Sequence, residues 1–286
     1  MRSDRYKSRL LTWGIWLVTL ATVGFMIANT IQKQPYQWLV LMPVYCLAVF
    51  ALLHSLDFMG VRKALWFLAL GLIVPYVAEY LGINFNAVFG GHWYATVRDL
   101  GLPFGVILPG YVPLAAVLTW YGMLYVTFVA SIFMLKARRS DLSSFATVPM
   151  AAGILAALWQ VTAGPAMVGR AMMTFSQGGF YHSIPLASLI GWFVTTMFVT
   201  LFFQVLEPGA VEYGRFERPD ARLAPLAVFM FGAAVLHSTA VCLRLGFNDA
   251  GWMGVGVLLL YIVVMAVRAR ALAARAMPVA VQPTPA

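Results

Sequence analysis

The sequence predicts an all-α, polytopic transmembrane helix bundle of about eight spans, with both termini on the cytoplasmic side. Of its 286 residues, 62% are hydrophobic and only 10% are Asp, Glu, Lys or Arg, whereas a soluble domain carries about 25% charged residues. Apolar runs of spanning length recur along the chain, and Lys and Arg concentrate in alternate connections. These observations predict the fold class, the number of spans and the orientation.

Eight apolar runs are long enough to cross a bilayer as helices. They lie near 10–31, 38–56, 64–81, 111–135, 148–169, 184–206, 223–245 and 250–267. The first run follows a basic segment but is too long for a signal peptide and lacks an Ala-x-Ala site, so it is predicted to be a span. The third run is short and contains Pro75, which predicts a kink or partial unwinding. Residues 1–276 are predicted to form the bundle, and the proline-containing residues 277–286 a disordered tail.

The orientation follows from the distribution of Lys and Arg. With the N-terminus inside, fifteen of the 19 Lys and Arg residues fall in inner segments, and only Lys33, Arg98, Arg170 and Arg244 fall in outer ones. This bias predicts a multi-pass protein of the inner (cytoplasmic) membrane. The net charge of +9 is then explained by anionic lipid headgroups, so membrane lipids are expected as partners and nucleic acid is not.

Two predicted outer loops are rich in glycine, aromatic residues and single polar groups. They run from Glu79 to Pro113 and from Gly169 to Pro185. Glu79 follows a long apolar run. A desolvated carboxyl at this place is a candidate proton donor, whereas a carboxyl that reaches headgroup water is not. Both interpretations of Glu79 are open from the sequence.

The histidines do not indicate a metal site. They show no His-x-x-His or His-x-x-x-His spacing, so neither a di-iron nor a zinc site is predicted. Intramembrane polar groups face the interior of a bundle, and several of them share the outer half here. We therefore expect one outer cavity lined by Glu79, His92, Tyr94, Tyr181, His182 and His237.

An ordered set of short motifs extends over residues 79–193. It comprises Glu79, Gly82, Phe89-Gly90, Tyr94, Leu100-Gly101, Val112-Pro113, Trp120, Gly179, Tyr181, Pro185-Leu186 and Gly191-Trp192-Phe193. In this order and spacing the chain resembles the carotenoid biosynthesis protein family, the membrane carotenoid 1,2-hydratases of bacteria and archaea. It departs from the family at Gly164, where the family has the Asp of an Asp-Pro pair, and at Ser188, where the family has Asn.

The resemblance implies a hydro-lyase that hydrates a terminal isoprene double bond of a linear carotene. The alkene would be protonated to a tertiary carbocation, which water would capture, with no cofactor required. Glu79 would supply the proton, with His182 and Asp99 as further candidates. The substrate would lie against aromatic rings, which stabilise cations. The expected substrate-binding residues are His92, Trp93, Tyr94, Tyr181, Trp192 and His237.

Two other functions are compatible with the same residues. One is a non-catalytic carrier or binding protein for a polyisoprenoid or another lipid, and the other is a hydratase or isomerase acting on a different isoprenoid. All three hypotheses imply a long apolar ligand as the partner, and none predicts the oligomeric state. Glu79 separates the binding protein from either enzyme, because an enzyme needs its proton whereas a binding protein should accept glutamine there.

Overall fold

The chain folds into a bundle of membrane-spanning helices. The computed structural model describes residues 2–32, 37–95, 105–138, 143–207, 211, 213–217 and 223–276, so the tail predicted at 277–286 lies outside the described residues. The eight long helices of the described part are α1 (Arg2–Ile31), α2 (Gln37–Met59), α3 (Val61–Phe85), α4 (Leu114–Leu135), α5 (Ser144–Gly169), α6 (Leu186–Leu206), α7 (Pro225–Arg244) and α8 (Asn248–Ala276). All eight are long and apolar enough to cross a membrane, which confirms the prediction of an all-α multi-pass bundle.

Helix α3 differs from its predicted form. It is continuous from Val61 to Phe85 with Pro75 inside it, so of the kink or partial unwinding expected at Pro75, the unwinding does not occur. Proline removes one backbone hydrogen bond, but unwinding in lipid would expose several unpaired backbone groups at a greater cost. The extra length matters for Glu79, which lies inside α3 about two turns before its end.

Helix α4 forms the centre of the bundle. It packs against α2, α3, α5 and α7, and 83% of its spanning window is buried, compared with 22% for α1 and for α8. Phe203 of α6 packs edge-to-face against both Phe67 of α3 and Phe128 of α4, and these rings fill the core between the three helices. The two peripheral helices α1 and α8 therefore face lipid over most of their surface.

Short strands close one end of the bundle, which we call the outer end because it carries the loops 86–113 and 170–185. Strand β1 (His92–Tyr94) pairs antiparallel with β4 (Met173–Phe175), and β2 (Ile107–Leu108) pairs with β3 (Val112–Pro113). Hydrogen bonds from Ala95 N to Met172 O and from Ser176 N to Gly91 O extend the first ladder. This ladder joins the two glycine- and aromatic-rich loops and positions β1 over the end of α3.

Reporter fusions test the predicted orientation. Fusions after residues 100 and 176 should report an extracytoplasmic location, and fusions after residues 140 and 215 a cytoplasmic one, because Lys and Arg are retained on the cytoplasmic side. Paired alkaline phosphatase and green fluorescent protein activities measure this directly. One reversed signal among the four sites would contradict the orientation.

Candidate functional site

The site is organised around the carboxyl group of Glu79. The buried residues of α3 include Gly71, Pro75, Ala78, Glu79 and Gly82, a spacing that forms one stripe on a helix. Glu79 lies on this stripe and is only 3% exposed. The sequence left open whether this side chain reaches headgroup water, and the structure buries it inside the bundle.

Three side chains hydrogen bond to the carboxyl group. His92 Nε2 lies 2.8 Å from Oε2, the Tyr94 hydroxyl donates to Oε2 at 3.1 Å, and Trp120 Nε1 donates to Oε1 at 2.7 Å. His92 and Tyr94 are two residues apart on β1, so their side chains lie on the same face of the strand. Trp93, between them, points the other way and is 50% exposed.

Glu79 and His92 share one transferable proton. His92 Nδ1 lies 3.0 Å from Gly90 O, and because a carbonyl oxygen only accepts, Nδ1 carries a hydrogen. The contact between Nε2 and Oε2 then needs a second proton, held either by the carboxyl group or by an imidazolium. Burial alone lowers the pKa of His92, but the charge of Glu79 and the hydrogen bonds to Glu79 and Gly90 outweigh it, so that this pKa is raised.

A glycine allows this close approach. A Cβ atom at Gly82 would lie 2.7 Å from His92 Cε1, closer than such atoms pack. The absence of a side chain at Gly82, one helical turn after Glu79, therefore lets the imidazole lie directly against α3.

A cavity of about 20 Å³ lies beside the Glu79 carboxyl group, which is room for about one water molecule. Phe89, Phe175 and Trp192 supply its aromatic walls. The Trp192 ring stacks on Trp120 with centroids 3.4 Å apart and planes 11° apart. Trp120 thus contacts both the acid and the aromatic wall, and it holds Trp192 in place.

Gln160 of α5 and Ser188 of α6 line the same cavity. Each is 2% exposed, and Gln160 Nε2 donates to Ser188 Oγ at 3.3 Å. A Cβ atom at Gly164 would lie 3.2 Å from Gln160 Nε2. Gly164 and Ser188 are the two positions at which the sequence departs from the family pattern, and Gln160 lies next to both of them.

A second, mostly apolar cavity of about 140 Å³ adjoins the first. Tyr94 and Met167 line both cavities. His237 also lines this second cavity. Arg170 and Asn29 line it as well, and Arg170 Nη1 donates to Asn29 Oδ1 at 2.6 Å. The Tyr94 side chain therefore connects the Glu79 carboxyl group to a larger apolar space.

The remaining predicted site residues either lie away from the two cavities or fall outside the described residues. Tyr181 donates its hydroxyl to Val161 O at 3.0 Å and packs against His182. His182 Nε2 lies 3.0 Å from the carboxylate of Asp249 at the start of α8. These two half-buried residues lie at the outer end but line neither cavity, so the expectation of one outer cavity is wrong for Tyr181 and His182. Asp99 lies outside the described residues.

Sequence reasoning did not assign Gln160, Ser188, Phe89, Phe175 or Trp120 to the site. Four of them carried a signal. Gln160 is the one amide side chain in the apolar run 148–169, and intramembrane polar groups mark functional sites. Phe89 and Trp120 belonged to the motif set, and Ser188 was a departure from it, but nothing in their positions in the chain related them to the carboxyl group of Glu79.

One comparison with known proteins identifies a family for most of the chain. The sequence profile described as "carotenoid biosynthesis protein" matches residues 36–247, which include every residue that lines the Glu79 cavity. No curated protein and no solved structure matches the chain. The match extends over most of the chain, from the start of α2 through α7. This multi-pass membrane protein belongs to the carotenoid biosynthesis protein family.

Proposed function

We propose that this protein hydrates a terminal isoprene double bond of a linear carotene, and that Glu79 is the acid. The observation that carries the proposal is a buried carboxyl group that shares a transferable proton with His92 and borders an aromatic cavity of about one water's volume. Membership of the family supports a carotenoid as the substrate class. The membrane-spanning bundle supports a lipophilic one.

Protonation is the first step. Glu79 transfers its proton to the CH carbon of the dimethyl-substituted alkene, and the two π electrons form the new C–H bond. The carbon that carries the two methyl groups becomes a tertiary cation. Tyr94 and Trp120 donate to the carboxylate that remains, and hydrogen bonds to an ionised acceptor are stronger than those to a neutral one. The donors are therefore preorganised for the charge that develops during the step.

The aromatic walls stabilise the cation. Trp192 and Phe89 border the cavity, and a cation over the face of such a ring gains about 0.5–2 kcal/mol. Stacking on Trp120 keeps the Trp192 ring in one orientation. The reacting end enters from the adjoining apolar cavity of about 140 Å³. Together the two small cavities admit little bulk water, so the cation persists until a positioned water reaches it.

Water addition completes the reaction. We assign Gln160 and Ser188 to orienting this water, because their buried polar groups line the same cavity as Glu79. The water oxygen forms a bond with the tertiary carbon, and its surplus proton returns to the Glu79 carboxylate. Alkene and water give a tertiary alcohol, nothing is oxidised or reduced, and the acid is regenerated.

Expression in a bacterial host that accumulates a linear carotene tests the proposal. We expect chromatography and mass spectrometry of the extracted pigments to show a new carotenoid that is heavier by one water and behaves as a tertiary alcohol. The same host with an empty vector should show only the carotene. If well-expressed protein leaves every carotene unchanged, the hydration proposal is contradicted, in favour of another isoprenoid substrate or of a lipid-binding role.

A further inference from the structure

A large groove lies on the lipid-facing side of the bundle, between α1, α7 and α8. Its volume is about 810 Å³. Among the described residues that line it there is no Asp, Glu, Lys or Arg, and the lining is dominated by aliphatic and aromatic side chains, among them Val23, Ile27, Phe229, Leu236, Leu258 and Tyr261. The Tyr261 hydroxyl donates to Val228 O at 2.7 Å. The groove is therefore suited to an apolar occupant.

The length of the groove indicates the kind of apolar molecule. Pro225 and Ala240 both line it, so it follows α7 for about 22 Å at 1.5 Å per residue. The hydrocarbon region of a bilayer is about 30 Å thick, which leaves about 15 Å for the chains of one leaflet. A phospholipid tail would fill only part of the groove, whereas a linear molecule longer than one leaflet would fill all of it.

The groove reaches the second cavity of the site. Met26 and His237 line both the groove and the cavity of about 140 Å³, and Tyr94 and Met167 connect that cavity to Glu79. Thr30 donates its hydroxyl proton to Met26 O at 2.8 Å, so it accepts from His237 Nδ1 at 2.9 Å. This bond joins α1 to α7 where the groove and the cavity meet.

We propose that the groove binds the distal part of a linear polyisoprenoid substrate whose reacting end passes His237 and Tyr94 to reach Glu79. The inference rests on the proposed function for the identity of the reacting end. The binding itself is independent of the reaction, because the groove recognises the length and apolarity of the chain. Helix α1 contributes one wall, and exposed lining residues such as Ile27 and Phe229 leave the groove open to a substrate that arrives from the bilayer.

Pigment retention tests the groove separately from catalysis. Ala233 of α7 and Ala266 of α8 line the groove, and tryptophan at either position would occupy it. Val194 on α6 is 45% exposed and lies outside the groove, so Val194→Trp is a matched lipid-facing control. Each protein is expressed in the host that makes the linear carotene and purified in mild detergent. Absorbance then gives total pigment per protein, and mass spectrometry gives bound phospholipid.

We expect wild-type protein and Val194→Trp to retain pigment, and Ala233→Trp and Ala266→Trp to retain at least about tenfold less. A tenfold loss of affinity is what removal of about two CH₂ groups of the ligand from the groove would cause. The exposed position of Ala266 makes that variant the safer one for folding. Equal pigment in all four proteins, or phospholipid without pigment in the wild type, would overturn the proposal. Pigment that depends on the groove without any alcohol product would support the groove and contradict hydration.

Discussion

Replacement of Glu79 by glutamine is expected to lower tertiary-alcohol formation by at least about 100-fold, the effect of losing a general acid. The amide is nearly isosteric with the carboxyl group but has no transferable proton. Pigment analysis in the carotene-producing host, normalised to the amount of membrane-inserted protein, measures the change. Glu79→Asp should retain a trace of product, because it keeps the acid but is shorter by one methylene.

The hydrogen bonds around residue 79 explain why this loss should be chemical rather than structural. In Glu79→Gln the amide oxygen can accept from Trp120 Nε1, and the NH₂ group can donate to His92 Nε2 and to the Tyr94 oxygen. All three contacts seen in the wild type can therefore remain hydrogen bonds in the variant. The variant should be inserted and should unfold on heating in detergent much like the wild type.

Glu207 provides a matched control. Its side chain is also buried and accepts a hydrogen bond from Arg62 at 2.6 Å, but it lies at the opposite end of the bundle. Glu207→Gln removes a buried carboxyl group without touching the site and should leave the alcohol yield close to that of the wild type. Full alcohol production by Glu79→Gln would place the acid elsewhere, with His182 and Asp99 next to be tested.

Replacement of Gln160 by leucine is expected to separate protonation from water addition. The variant keeps Glu79 and His92, so the tertiary cation still forms, but the amide that orients the water is lost. We expect the alcohol to fall at least about tenfold, equivalent to about 1.4 kcal/mol in the barrier to water capture. The cation should instead lose a proton from a neighbouring carbon and give back the carotene or an isomer of it.

Deuterium incorporation distinguishes this outcome from simple inactivation. Purified protein and linear carotene are incubated in D₂O, and mass spectrometry follows both the alcohol and the recovered hydrocarbon. Gln160→Leu should incorporate deuterium into recovered carotene or isomer while its alcohol yield falls. Gln204→Leu, which replaces another buried glutamine near the other end of α6, should behave like the wild type. A parallel loss of alcohol and deuterium, or an unchanged ratio of alcohol to isomer, would contradict the assigned role.

The sequence predicted the candidate acid but only part of its surroundings. Glu79 could be identified because a carboxyl group behind a long apolar run is costly unless it is used or paired. His92 and Tyr94 were expected nearby, whereas their roles as direct hydrogen-bonding partners depend on the pairing of β1 with β4. That pairing also sets the alternation of side chains that turns Trp93 away from Glu79. The sequence predicted a loop here and no strand, so it gave no basis for expecting this alternation.

Hydropathy and composition by themselves determined that this protein is a multi-pass helical membrane protein, because the bilayer acts on each segment locally and demands an apolar, internally hydrogen-bonded helix of set length. Only the tertiary structure decided which side chains meet. Trp120 bonds Glu79 from 41 residues away, and Gln160 reaches Ser188 across 28 residues. Such contacts depend on how the helices rotate and pack against α4. The residues adjacent in the sequence do not determine that packing.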